Sequence, residues 1–198
     1  KIHHFTNQIV YQKLTHTVFI LFVGFLCWLI SVVYNDWFCA TMPRHQLFQL
    51  PAILLLGFFC GWKWLSSRRT NLYCGLSILV FIMFSFIFWM LPHSIDAAVI
   101  DIRFNRFMLL NMFAAGLLLY PVLKYIRFEV RILFLGMFAA MIIATGIALI
   151  SFNILLCSAF NIEQQKETGA GMIKAGVLFF FLALFVFFKG IGKLSGKE

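Results

Sequence analysis

The segment between residues 36 and 45 reads DWFCATMPRH and carries three metal-binding side-chain types at regular spacing, Cys39, Met42 and His45. Thiol, thioether and imidazole groups are the ligands that a soft ion such as Cu(I) prefers. We therefore expect copper as the only cofactor, with these side chains among its ligands. The alternative is that three unrelated residues lie at a membrane edge, because Pro43 interrupts any simple helical face.

Two further candidate ligands, His93 and Asp96, follow a later apolar run. His45 begins one apolar segment and His93 ends another, so both are expected to face the same compartment. We predict a metal site built on these two histidines and rank them above Cys39 and Met42, because a helix end holds an imidazole more rigidly than a loop holds a thiol. The alternative is that these residues bind no metal, since His and Asp are common at membrane interfaces.

The elements that must position these residues are membrane helices. Of the 198 residues, 63% are hydrophobic and only 12% are charged, whereas a soluble domain carries about 25% charged residues. Backbone polar groups must be paired inside hydrocarbon, which favours helices here because barrel-type alternation is absent. The expected fold is all-α, a single polytopic membrane bundle over residues 1–198 with about six transmembrane helices. The predicted spans are 17–35, 46–65, 72–91, 107–125, 132–156 and 172–189.

The basic residues are divided unequally between the two sides of these spans. The two termini and the second and fourth connections hold eleven of the sixteen Lys and Arg residues. They are Lys1, Lys13, Lys63, Arg68, Arg69, Lys124, Arg127, Arg131, Lys189, Lys193 and Lys197. The positive-inside rule assigns that side to the cytoplasm and predicts an N-in/C-in topology. The net charge of +9 is thus an orientation signal, and no nucleic acid is expected as a partner.

The predicted spans lack the groups that most membrane chemistry needs. None has an ionisable residue near its centre, which ion or proton transport requires. The sequence also lacks a glycine-rich phosphate loop in a strand–turn–helix context. We therefore expect a protein that is not an enzyme.

Small residues recur along the fifth predicted span, where Gly136, Ala140, Ala144 and Ala148 follow one another at four-residue spacing. The second span contains Gly57-x-x-x-Gly61. Small side chains let helix backbones approach closely in a membrane. The face of the fifth span is therefore expected to dock a partner protein or, alternatively, to pack inside the bundle.

The stretch Leu91-Pro-His-Ser-Ile-Asp-Ala-Ala98 resembles an LPxxxDAA-like stretch of the CtaG-type cytochrome c oxidase assembly factors, polytopic membrane proteins of bacteria. Later stretches are similar to that family too, across residues 42–190 and best from 88 onward. They are Gly116-Leu-Leu-Leu-Tyr-Pro121, Phe160-Asn-Ile-Glu-Gln-Gln165 and Gly169-Ala-Gly-Met172. The chain departs from the family between Arg103 and Asn111, where the family usually places histidines.

The resemblance implies a multi-pass protein of the bacterial inner membrane that helps to assemble a haem–copper respiratory oxidase and assists copper delivery at the outer face. Its partners would be membrane lipids and the oxidase. The alternative is a non-catalytic accessory subunit of a larger membrane respiratory or metalloenzyme complex that has lost the ligands of an ancestral factor. A permanent subunit stays at fixed stoichiometry with its enzyme, whereas an assembly factor does not.

The distribution of basic residues predicts on which side of the membrane each connection lies. Reporter fusions after Arg69 and after Arg131 should be cytoplasmic, and fusions near Asp101 and Gln165 should be external. Paired alkaline phosphatase and fluorescent-protein fusions measure this directly. The opposite location at any two of the four positions would contradict the predicted topology.

Overall fold

A computed structural model describes residues 17–65, 71–152 and 154–195. Within these residues the chain is almost entirely helical and has no strand, which confirms the predicted all-α membrane bundle. The helices in chain order are α1 (Thr17–Val33), α2 (Asn35–Cys39), α3 (Arg44–Leu65), α4 (Leu72–Met90), α5 (Pro92–Ile100), α6 (Ile102–Tyr125), α7 (Phe128–Ser151) and α8 (Ile162–Ser195).

Five helices among the described residues are long and apolar enough to cross a membrane, so the chain is a multi-pass membrane protein. They are Arg44–Leu65, Tyr73–Met90, Ile102–Tyr125, Phe128–Ser151 and Ile162–Gly190. The first predicted span, 17–35, is a shorter apolar helix, Thr17–Val33. The last span begins at Ile162 instead of 172, because the residues before the apolar run include good helix formers, Glu, Gln, Lys and Ala.

The helices α3 and α6 pack with their backbones in direct contact at glycines. A Cβ atom on Gly116 of α6 would overlap the carbonyl oxygen of Leu54, and one on Gly57 of α3 would overlap that of Phe113. A Cβ on Gly61 would likewise overlap a carbonyl oxygen of α6. Lipid provides no hydrophobic force between helices, so this close packing holds the pair together.

The helices α7 and α8 form a second close pair through a different set of glycines. A Cβ on Gly146 would lie 2.6 Å from the carbonyl oxygen of Gly169, and one on Gly169 would lie 2.7 Å from that of Gly146. Both glycines therefore sit where the two backbones meet.

The predicted small-residue face of α7 lies away from this contact. Ala140 and Ala144 are exposed, Ala148 is half-buried, and a Cβ on Gly136 would meet nothing within 4 Å. At Ala140 and Ala144 this face therefore does not pack inside the bundle. Its use as a partner-docking face stays a prediction.

The helix α4 joins the two pairs through aromatic contacts. The ring of Phe86 on α4 lies edge-on to Phe138 of α7, with centroids 4.6 Å apart, and Phe138 in turn meets Phe179 of α8 at 5.4 Å. The indole N–H of the buried Trp89 donates to Asn111 Oδ1 of α6 at 2.9 Å. These contacts link α4 to both neighbouring pairs.

One end of the bundle is closed by short elements, namely α2, α5 and the connection from α7 to α8. The helices α1, α4 and α7 end there, and α3, α6 and α8 begin there. We call it the site end, because it gathers most of the candidate ligands.

The glycine contacts predict opposite effects for two equivalent substitutions. Gly116→Ala should destabilise the protein by about 1–3 kcal/mol, because the new methyl group meets backbone that cannot move aside. Gly136→Ala should be neutral or stabilise by up to about 1 kcal/mol, since Ala favours helix and the space is open. Thermal unfolding of the two variants in the same detergent measures the difference. Equal melting temperatures would contradict the α3–α6 contact.

Candidate metal site at one end of the bundle

Two of the candidate ligands, Cys39 and His45, are brought together by a tight connection between α2 and α3. Cys39 is the last residue of α2, and α3 begins with a π-helical turn over Arg44–Gln49, in which the Leu50 N–H bonds to the His45 carbonyl. Such wide turns occur often at functional sites. The Sγ atom of Cys39 lies 3.9 Å from Nδ1 of His45.

Neutral amide side chains hold the imidazole of His45. Its Nδ1 lies 2.7 Å from Gln49 Oε1, and Gln49 Nε2 donates to Asn35 Oδ1 at 3.2 Å and to the Ile30 carbonyl at 3.4 Å. Because the Gln49 amide nitrogen faces these two acceptors, its oxygen faces His45. The network therefore assigns the imidazole proton to Nδ1 and the lone pair to Nε2.

Two buried acceptors in this cluster have no hydrogen-bond partner, His45 Nε2 and Asn105 Oδ1. Both residues are 0% exposed. The other end of the Asn105 amide donates from Nδ2 to Cys39 Sγ at 3.4 Å. A buried acceptor without a donor costs about 1–3 kcal/mol. A cluster with more acceptors than donors suits a bound cation or a hydrogen-bond donor such as water.

The Cys39 thiol is held in its neutral form. Burial raises its pKa to about 11, an effect that the hydrogen bond from Asn105 reduces and the nearby carboxylate of Asp36 increases. The thiol therefore keeps its proton near neutral pH. A metal ion that binds this sulfur must displace the proton, so its affinity depends on pH.

The other predicted ligands on α5 do not join this cluster. His93 lies on the exposed surface of α5, whereas His45 is fully buried. The carboxylate of Asp96 accepts the backbone N–H groups of Ser158 at 2.7 Å and Ala159 at 3.0 Å, so it fastens the connection before α8. The predicted pairing of His45 with His93 has no counterpart among the described residues. No group of three or more His, Cys, Asp or Glu side chains in that part of the chain is placed to hold a metal.

Met42 lies between the two close ligands in sequence and is fully buried. Its backbone N–H points to Gln164 Oε1 of α8 at 3.5 Å, which ties the connection to the start of that helix. The expectation that Cys39 would be poorly held in a loop is wrong. The thiol ends a helical turn and is bonded by the Asn105 amide.

Three residues of the cluster were not predicted from the sequence, namely Asn35, Gln49 and Asn105. A search for ionisable residues inside the spans passes over neutral amides. The available signal was their position, because Gln49 lies within a predicted span and Asn105 lies just before one. In hydrocarbon an amide needs an internal partner, so an amide at such a position already indicates a buried polar cluster.

No family model, curated protein or solved structure matches the chain, and the resemblance to the CtaG-type factors stays a prediction.

Proposed function

We propose that this protein binds one soft metal ion, copper(I) in particular, between Cys39 and His45, and that it assists the assembly of a haem–copper respiratory oxidase. The observation that supports this most directly is the 3.9 Å separation of Cys39 Sγ and His45 Nδ1. Thiolate and imidazole are ligands that soft metal ions accept.

The separation of the two ligand atoms fits a shared metal ion. Metal–sulfur bonds to cysteine are about 2.3 Å and metal–nitrogen bonds to histidine about 2.0 Å, as zinc sites exemplify. Two atoms bonded to one ion can therefore lie up to about 4.3 Å apart, and 3.9 Å falls within this range. The ion would take the position of the Nδ1 proton, so the imidazole proton would move to Nε2 and the bond to Gln49 would open.

The neighbouring side chains have distinct roles in this proposal. The Asn105 amide donates to the Cys39 sulfur, which favours the thiolate. Cys39 is partly exposed whereas His45 is not, so an incoming ion would meet the thiol first. A site with two strong ligands also retains the metal less firmly than a closed four-ligand site, which suits a protein that passes the metal on.

The cellular setting is part of the same proposal. In the predicted topology, eleven of the sixteen basic residues belong to the termini and connections on the side opposite to Cys39 and His45, which favours an external position for the site end. Together with the resemblance to bacterial assembly factors, this supports the bacterial inner membrane, with the metal handled at its outer face.

A second candidate function is supported by the exposed small-residue face of α7, with Ala140 and Ala144 at its centre. A smooth helix face suits close contact with another membrane helix. It would make the chain a non-catalytic accessory subunit of a larger respiratory or metalloenzyme complex. Constant stoichiometry with one enzyme after native purification would favour this function over transient assembly.

Copper content tests the proposed ligands. The wild-type protein, loaded with Cu(I) under anaerobic conditions and freed of excess metal, should retain about one equivalent. Cys39→Ser and His45→Ala should each lower the affinity at least about tenfold, because each removes one of two ligands. The matched controls are His93→Ala and Cys157→Ser, a buried cysteine elsewhere at the site end. Absence of copper from the wild type would contradict the proposed ligands. So would a loss of affinity in both controls as large as that in the Cys39 and His45 variants.

The affinity should also depend on pH in a defined direction. The pKa of Cys39 is raised to about 11, so binding displaces one proton throughout the range from about pH 6 to 9. The affinity should then rise about tenfold per pH unit. Competition with a Cu(I) chelator, corrected for proton binding by the chelator, measures this slope. A pH-independent affinity would mean that the thiolate is not a ligand.

A further inference from the structure

An apolar groove runs between α1, α3 and α6, outside the candidate metal site. Its volume is about 440 Å³, within the range of about 300–1,000 Å³ that small-molecule sites occupy. Gly24 and Cys27 of α1 form part of one wall, and Ile53 and Leu109 form part of the others. A Cβ on Gly24 would meet nothing within 4 Å, so this wall leaves room for an occupant.

Arg106 on α6 is the one charged residue among the described residues that line the groove. Among the described residues, no acidic side chain lines the groove, and Arg106 is exposed. It lies about one helical turn inside the start of α6, at the site end. A guanidinium at this depth is placed where lipid headgroups meet the hydrocarbon, and Arg binds phosphate through two parallel hydrogen bonds.

The dimensions of the groove indicate an occupant thinner than a helix. On α1 it extends from Ile20 to Ser31, which is about 16 Å along a helix. The whole empty space of the groove, open solvent included, is about 940 Å³, which over that length corresponds to a mean cross-section of at most roughly 57 Å². A helix with side chains is about 10 Å across, or roughly 80 Å² in section, and does not fit. A single extended hydrocarbon chain is thin enough to fit.

We propose that this groove binds one anionic phospholipid, with its phosphate at Arg106 and one acyl chain along α1. The apolar walls match the acyl chain, and the single guanidinium matches the phosphate in sign and in depth. This inference is independent of the proposed metal function, because the groove residues and the ligand pair Cys39 and His45 are different side chains.

Lipid retention by the intact protein tests this proposal. Purified protein is incubated with phosphatidylglycerol or with phosphatidylcholine of the same acyl chains, and bound lipid is counted by native mass spectrometry. The wild type should retain one phosphatidylglycerol in preference to phosphatidylcholine. Arg106→Gln should lower that retention at least about fivefold, because it removes the charge that pairs with the phosphate.

Matched variants separate this effect from misfolding and from general surface charge. Arg103→Gln removes an exposed arginine of the same helix that does not line the groove, and it should retain the lipid. Arg106→Lys keeps the charge and should retain most of the binding. Gly24→Leu fills the groove and should reduce the retention of both lipids.

Three results of the lipid-retention experiment would overturn the proposal. They are equal retention of phosphatidylglycerol by Arg106→Gln and Arg103→Gln, equal retention of the two lipids by the wild type, and retention of neither lipid. A protein or peptide segment found in the groove by crosslinking from Gly24→Cys would also overturn it.

Discussion

The backbone contact between α3 and α6 is the interaction on which the rest of the structure depends. Gly57 and Gly116 allow the two helices to meet without intervening side chains, so the distance between them is set by peptide groups. The helix α3 carries His45 and Gln49, and α6 carries Asn105. The same contact that joins the helices in lipid therefore also brings Asn105 to the Cys39 sulfur and forms two walls of the groove beside α1.

The polar cluster at the site end shows how a membrane protein keeps polar groups inside its fold. Gln49 joins three partners, His45, Asn35 and the Ile30 carbonyl, so one amide connects α1, α2 and α3. The exceptions are the acceptors His45 Nε2 and Asn105 Oδ1, which have no donor. Neither acceptor belongs to the proposed ligand pair of Cys39 Sγ and His45 Nδ1, and each suits a hydrogen-bond donor such as water.

The small residues of the chain show why a sequence pattern alone does not identify a helix contact. Gly146 and Gly169 face each other across α7 and α8, whereas Ala140 and Ala144 of the same helix α7 are exposed. Both sets consist of small residues that allow close helix contact. Which of them packs depends on how α7 is rotated relative to α8, and that rotation is decided by large neighbours such as Phe138, which must reach the aromatic rings of α4 and α8.

The sequence by itself determined the all-α membrane fold and the approximate spans, because long apolar runs admit only backbones that satisfy their own hydrogen bonds in lipid. It also identified Cys39 and His45 as candidate ligands from their side-chain chemistry. Only the tertiary structure decided that these two meet, that His93 lies on the surface, and that Asp96 binds the connection before α8. The reason is physical: ligand type is a local property, whereas the distance between ligands depends on a π-helical turn and on helix contacts distant in sequence.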